Sequence, residues 1–282
     1  MGNVVPGQAV VWAIQSGPGI IASSQDITDE NGQANATITS TEAGITKLRC
    51  TADLVYGEAT KTWKAGVPAS LTLEPASAEN VVGINHTVIA TVKDANGNVV
   101  SDAPISWSLS GVGSFVGTPS PQTDQNGQAT AIITSIKSGQ STVTASMTGT
   151  TLTASAVKTW LPLSIVIDIK PGSLPNSINV KSNGVIPVAI LSTSTFDATT
   201  VNPLSVRFGP GGAKEVHKRG HLEDVNHDGL LDMVLHFSTK SSGIKAGDTS
   251  AILVGETKGG MSIMGSDSVR TVPPKPPKSP KK

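Results

Sequence analysis

One cysteine, one tyrosine and no excess of charge of either sign mark this 282-residue sequence by what it lacks. With Cys50 alone, no disulfide can form within the chain, so its stability must come from packing rather than from staples. The 21 basic side chains balance 21 acidic ones, and without a net positive field the sequence is not that of a nucleic-acid-binding protein. Aromatics make up 3% of the residues, too few to build the stacking platforms that sugar-binding clefts normally use. No run approaches the ~20 apolar residues of a membrane span, so membrane insertion is not expected. Met1 does not open a basic and then apolar leader; the expectation is a piece of a longer protein whose export signal lies upstream.

What the sequence does contain is a repeat. Gly2 to Gly44 recurs 95 positions later as Gly97 to Gly139, with Trp12 returning as Trp107 and Thr28-Asp29-Glu30-Asn31-Gly32-Gln33-Ala34 as Thr123-Asp124-Gln125-Asn126-Gly127-Gln128-Ala129. A constant offset over so many positions means one folding unit copied in tandem, and a unit of about 100 residues has the size of an immunoglobulin-like sandwich. The second copy is preceded by Val67 to Asn96, for which the first has no counterpart. The first repeat is therefore expected to be truncated and to expose unpaired backbone, and either to be unstable alone or to accept a strand from another chain in a self-association. Cys50 aligns with Ala145 and is expected to be a small buried side chain; Trp12 and Trp107 are expected to plug the two cores.

Alternating, β-branched stretches such as Thr87 to Val92, Ile105 to Leu109, Gln128 to Thr134 and Ser141 to Ser146 predict half-buried strands, and no segment has convincing helical periodicity. The class is all-β. Asp94-Ala95-Asn96-Gly97 and the two related Asp-x-Asn-Gly segments read as turns, because Asn and Gly tolerate positive φ. After Trp160 the repeat is lost. Ile165 to Ile169 and the nearly continuous apolar run Val185 to Leu191 predict new strands, with Pro187 pointing to an edge or a bulge. The organisation expected is thus residues 1–65, a truncated repeat; 66–160, a complete one; 161–272, a C-terminal β-sandwich; and 273–282, a Pro/Lys-rich linker or tail that could touch an anionic wall polymer. The joints Ala65-Gly66-Val67-Pro68 and Leu161-Pro162-Leu163 are short enough for a semi-rigid rod.

The sharpest chemical signal is Asp224-Val225-Asn226-His227-Asp228-Gly229-Leu230-Leu231-Asp232. Oxygen side chains at the first, third, fifth and ninth places, with glycine at the sixth, match the start of a calcium loop; Asp224, Asn226, Asp228 and Asp232 would supply side-chain oxygens and Leu230 its carbonyl. The twelfth place holds Leu235 instead of the bidentate Glu of an EF-hand, so the segment is expected to be a nine-residue Ca2+ loop feeding a strand. Four of the five histidines (His217, His221, His227, His236) fall in the same region, but no cysteine accompanies them, and they are expected to be surface groups rather than zinc ligands. Glu215 and Glu223 are the carboxylates one could pair for hydrolysis, yet no aromatic-rich cleft and no Gly-x-Ser-x-Gly elbow accompanies them, so no enzyme is expected.

Taken together, Asp94 to Val100, Pro104-Ile105-Ser106-Trp107, Thr123 to Ala129 and Ile133-Thr134-Ser135 make residues 2–160 resemble the bacterial immunoglobulin-like repeats of invasin and intimin-type adhesins. The resemblance implies a surface-exposed sandwich rod in which the repeats are spacers and a terminal domain often meets the receptor. The last segment, with Asp168 to Ser173, His221 to Asn226 and Gly265 to Arg270, resembles a module at the ends of secreted bacterial proteins; that resemblance implies a cysteine pair near Ala246 and the module's end, which this chain does not have. The reading is an extracellular or cell-surface structural or adhesive rod stabilised by Ca2+, with an unknown host or cell-surface ligand. The alternatives are a carbohydrate-binding accessory module of a larger secreted enzyme and a virion decoration protein.

Overall fold

The computed structural model describes residues 3–272; the Pro/Lys-rich segment 273–282 lies outside the described residues. The first unit runs through β1 (Val11–Ser16), β2 (Ile20–Ser24), β3 (Ala36–Thr39), β4 (Gly44–Ala52) and β5 (Val55–Trp63). The second begins with three strands that the first lacks in this chain, β6 (Pro68–Glu74), β7 (Ser77–Val81) and β8 (His86–Asp94). It continues with β9 (Ile105–Gly111), β10 (Ser114–Phe115), β11 (Gln128–Thr134), β12 (Gly139–Met147) and β13 (Thr153–Leu161).

In the second unit the period-two alternation produces a closed sandwich. One sheet has the order β10-β11-β8-β6 and the other β7-β13-β12-β9. Val88, Ala90 and Val92 of β8, Ala129 and Ile133 of β11, and Val143 and Ala145 of β12 all point into the space between, each at most 1% exposed. Alternate residues of a strand face opposite sides, so one inward stripe per strand suffices to fill the layer. Trp107 packs against this core and donates its indole N–H to Ser120 O at 2.9 Å.

The first unit keeps only β1-β4-β5 on one side and the two-stranded β2-β3 on the other. The same inward stripes are covered by two strands where the second unit has four. Val10 and Leu48 are its buried apolar side chains among the described residues, whereas Val4, Val11, Ile20, Val55 and Tyr56 are more than half exposed. A cleft of about 570 Å³, lined in part by Val5, Val10, Thr28 and Ala52, opens where the second unit has its core. Two expectations need correction for this reason. Cys50 is half-buried rather than buried, although its counterpart Ala145 is fully enclosed, and Trp12, which donates to Gln25 O at 2.9 Å, plugs no closed core.

The three Asp-x-Asn-Gly segments are turns of one design. Asp29 Oδ1 accepts from the N–H groups of Asn31 and Gln33, Asp94 Oδ1 from Asn96 and Asn98, and Asp124 Oδ1 from Asn126 and Gln128. Such Asx turns satisfy two backbone donors with one carboxylate, and Gly32, Gly97 and Gly127 supply the positive φ that follows.

Both joints are closed by one loop and its repeat counterpart. Between β3 and β4, Thr41 O accepts from Asn98 Nδ2 and Ala43 N donates to Asn98 Oδ1, each at 2.8 Å. Ninety-five residues on, Ile136 O accepts from Ser262 N at 2.8 Å and Ser138 N donates to Ser262 Oγ at 3.0 Å. The second joint adds a Lys137–Glu256 ion pair at 2.5 Å and the side chain of Met261, packed against the second unit's core.

At the first joint, Asp94 is 5% exposed and anchors the linker by accepting from Gly66 N at 2.7 Å. The Asn98 amide, then Gly66 N–H and the turn N–H groups of Asn98 and Asn96, hold its carboxyl at about 2. Because the folded value is depressed below the ~3.9 of an unfolded Asp, the contribution is fully present above about pH 4 and is lost as pH falls through about 2. The amide resonances of Gly66 and Asn98 are therefore expected to titrate together with a midpoint near 2; a midpoint near 3.9 would show that the anchor is not made.

The third unit contains β14 (Leu163–Ser164), β15 (Ile167–Ile169), β16 (Ser177–Asn179), β17 (Val185–Ile190), β18 (Arg207–Phe208), β19 (Ala213–Lys214), β20 (His221–Glu223), β21 (Asp232–Ser238), β22 (Ser250–Glu256), β23 (Ser262–Ser268) and β24 (Arg270–Val272). Sheets of order β14-β23-β22-β18-β19 and β15-β17-β21-β20 enclose a core in which the Phe208 and Phe237 rings lie 5.2 Å apart. Pro187 is not on an edge: β17 lies between β15 and β21. Its carbonyl accepts from Lys170 N, so its nitrogen also faces the β15 side, where the chain leaves the ladder at Lys170 with φ 60°. No N–H is missed toward β21, which is how the sheet tolerates an interior proline.

Candidate metal-binding region

The hairpin β20–β21 carries His221, His227 and His236 together with the carboxylates Glu223, Asp224, Asp228 and Asp232. Its register, His221 opposite Val234 and Glu223 opposite Asp232, leaves Asp224 to Leu231 as the connecting loop. His227 at φ 62° and Gly229 at φ 87° turn the loop back on itself.

Within it, Asp224 Oδ1 and Oδ2 accept from Asp228 N at 3.1 Å and Gly229 N at 2.9 Å. Asp228 Oδ1 accepts from Leu230 N at 2.8 Å, and Asn226 Nδ2 donates to Asp228 Oδ2 at 2.9 Å. Asp224, Asn226 and Asp228 thus gather at one end of the loop, Asp224 half-buried and Asn226 and Asp228 exposed. Asp232 is elsewhere in character: fully buried, it accepts from Ser192 N at 2.8 Å with Oδ1 and from Val225 N at 3.1 Å with Oδ2. The exposed Leu230 contributes its N–H to the Asp228 turn.

A second group, which sequence reasoning missed, lies beside β21. Ligand atoms of Glu215, His217 and His236 come within 4.8 Å of one another, the group of three His, Cys or acidic side chains that does so among the described residues. The His217 ring is 5.3 Å from that of His236 and 6.1 Å from that of His221, and His221 is 5.9 Å from His236, all edge to face. His217, His221 and His227 are exposed, as expected, while His236 is half-buried, and the first two stand beside it. His236 is held in the ladder opposite Pro187, and its N–H donates to Glu215 Oε1 at 3.4 Å. Glu215 Oε2 accepts from Arg219 N at 3.1 Å, which closes the loop between His217 and His221. Lys218 turns that loop at φ 58°, and Gly220 lets it lie on the strand: a Cβ there would sit 2.7 Å from Met233 Cγ. Burial first, then the neighbouring His217 and His221 imidazoles, push the His236 pKa below the ordinary histidine value. Glu215 is 6% exposed and Glu223 exposed, so the two do not form a matched carboxylate pair.

No helix among the described residues is long and apolar enough to cross a membrane. Comparison with known proteins bears on the repeats. The profile of the bacterial Ig-like domain (group 1) matches residues 1–64 and 70–159. The inverse autotransporter adhesin YeeJ of Escherichia coli (strain K12) is 33% identical over 167 residues, which is 52% of this chain and 7% of that protein; the chain spans less than a tenth of this relative's length. Among solved structures, the Escherichia coli adhesin FdeC matches at TM-score 0.45 and 16% identity, over 96% of this chain and 88% of that one. Invasin, described as a bacterial integrin-binding protein, matches at TM-score 0.34 and 16% identity, over 95% and 54%. With two successive matches that together span more than half of its length, the chain belongs to the bacterial Ig-like domain (group 1) family.

Proposed function

We propose that this chain is a stiff, non-catalytic segment of a bacterial surface adhesin, in which two Ig-like units carry a third β-sandwich. The chain works outside the cell or at its surface. The observation that carries the reading is the reuse of one loop at both joints: Thr41 and Ala43 at the first, Ile136 and Ser138 at the second, each pairing a carbonyl and an N–H with a single side-chain-bearing partner residue. Two hydrogen bonds through one residue fix direction as well as distance, and short linkers leave little slack. A repeating joint is what a spacer needs. The relative named as an inverse autotransporter adhesin supports presentation as the purpose. This chain's partner is a host or cell-surface ligand.

The same reading includes a Ca2+ ion in the loop Asp224 to Asp232, with Asp224, Asn226, Asp228, the Leu230 carbonyl and Asp232 as its ligands. What supports it is the spacing together with the gathering of Asp224, Asn226 and Asp228, whose two carboxylates have no Lys or Arg partner among the described ion pairs. At an affinity of ~10⁻⁴–10⁻³ M, about 10 mM calcium would stabilise the third unit by roughly 1.4–2.7 kcal/mol. The melting transition of that unit in the full chain is expected to rise by several degrees on adding calcium, and Asp228→Ala to abolish the rise. Identical melting curves in calcium and in chelator would sink the calcium part and leave the rod untouched.

A further inference from the structure

We propose that Glu215, His217 and His236, with His221 as fourth ligand, bind one divalent transition metal ion, zinc by preference, in a closed structural site separate from the Asp224 to Asp232 loop. Three imidazoles and one carboxylate form a donor set suited to tetrahedral zinc, and calcium, which takes oxygen ligands, is not served by it. The three central ligand atoms already lie within 4.8 Å of one another. A tetrahedral ion with bonds of about 2.0–2.1 Å spaces its ligand atoms by roughly 3.3 Å, so side-chain rotations that move these three by about 1–1.5 Å bring them onto one ion, and His221, whose ring is 5.9 Å from that of His236 and 6.1 Å from that of His217, must turn in as the fourth.

Two independent features of these side chains call for a cation. Glu215 is buried, yet its partners are the N–H groups of Arg219 and His236, and no Lys or Arg forms an ion pair with it among the described residues. Buried carboxylates are normally paired with a charge or a metal. Nδ1 of His236 is buried with no hydrogen-bond partner, an exception to the near-complete pairing of enclosed polar atoms. A zinc ion would neutralise the first, and the rotation that binds it would give the imidazole a ligand.

The framework is rigid where a site needs rigidity. His236 sits in mid-strand between β17 and the 215–216 segment, and Val216 N donates to His236 O at 3.0 Å. Glu215 is clamped at both oxygens, while the short turn at Lys218 brings His221 back toward His217. Bound zinc would tie the segment after β19 to β20 and β21, a cross-link in a unit that has no disulfide.

The test uses the full chain without any histidine purification tag, titrated with Zn2+ by calorimetry in calcium-containing buffer, with Co2+ as a spectroscopic substitute. One zinc per chain and the intense visible bands of four-coordinate cobalt are expected. His217→Ala and His221→Ala, both at exposed positions and checked for an unchanged circular dichroism spectrum, should each weaken zinc at least tenfold, whereas Asp228→Ala should not change it. No measurable zinc binding, or binding indifferent to both histidine variants, overturns the proposal. So does loss of zinc in Asp228→Ala alone, which would place the ion in the acidic loop.

Discussion

Trp160→Ala is expected to destabilise the second unit by about 3–5 kcal/mol, the range for emptying a buried aromatic site, while the same change at Trp63 costs markedly less. The two tryptophans occupy matching places. Trp160 donates its indole N–H to Ser141 Oγ at 2.8 Å, and Ser141 Oγ in turn donates to Val112 O; Trp63 donates to Thr46 Oγ1 at 2.8 Å, and Thr46 to Pro18 O. Each ring also has a lysine over it, Lys158 at 5.4 Å and Lys61 at 5.5 Å. The polar relay being equal, the difference is enclosure. Trp160 is 1% exposed within a core closed by eight strands, whereas Trp63 is half-buried against three strands and a hairpin. The cavity left at Trp160 has no route to collapse. Because three units unfold in one chain, the measurement should be local: native-state hydrogen exchange of the β12 amides for Trp160→Ala and of the β4 amides for Trp63→Ala. Equal losses at the two positions, or a loss under about 1 kcal/mol at Trp160, would show that the closed core does not set the stability.

What could be read from the sequence was whatever is local and periodic. The alternation of Thr87 to Val92 and the Asp-x-Asn-Gly turns depend on neighbours a few residues apart, the 95-residue offset on comparing the sequence with itself, and the first two appear in the structure as strands and Asx turns. The half-burial of Cys50 does not follow from its own alternating segment but from the short sheet opposite it, which the expected truncation of the first repeat implies. The place of Pro187 was not legible, since an edge is a property of sheet order. The Glu215, His217, His221 and His236 cluster was hidden for the same reason: its members lie on three segments that only the register of β20, β21 and the Glu215–Phe237 bridge brings together. The one signal available was the density of histidine itself, four of five within 20 residues of one another, and its weight was lowered by the lack of cysteine.

Asp232→Ala is expected to cost the third unit about 2–5 kcal/mol whether or not calcium is present. Asp232 is fully buried, and its two oxygens serve two backbone donors, Ser192 N and Val225 N. Alanine would leave both N–H groups without a partner, at about 1–3 kcal/mol for each buried orphan. The damage would spread, because the same Ser192 fastens two further segments: its hydroxyl donates to Leu231 O at 2.7 Å and accepts from Ala198 N at 2.9 Å. Asn at this position keeps one acceptor but turns an NH2 group toward the other backbone donor, so it should recover only part of the loss. Asp228 provides the contrast. It is exposed and bonds within the loop, so in chelator Asp228→Ala should leave the protection of β17 and β21 amides unchanged, whereas Asp232→Ala should lower it across both strands. This separates two roles that spacing alone merges: Asp224, Asn226 and Asp228 as the part of the loop proposed to meet the ion, and Asp232, beside its proposed place among the ligands, as the clamp that holds the loop to the sheet. Hydrogen exchange in chelator decides it, and a loss below about 0.5 kcal/mol for Asp232→Ala would remove the clamp and return that carboxylate to the ion alone.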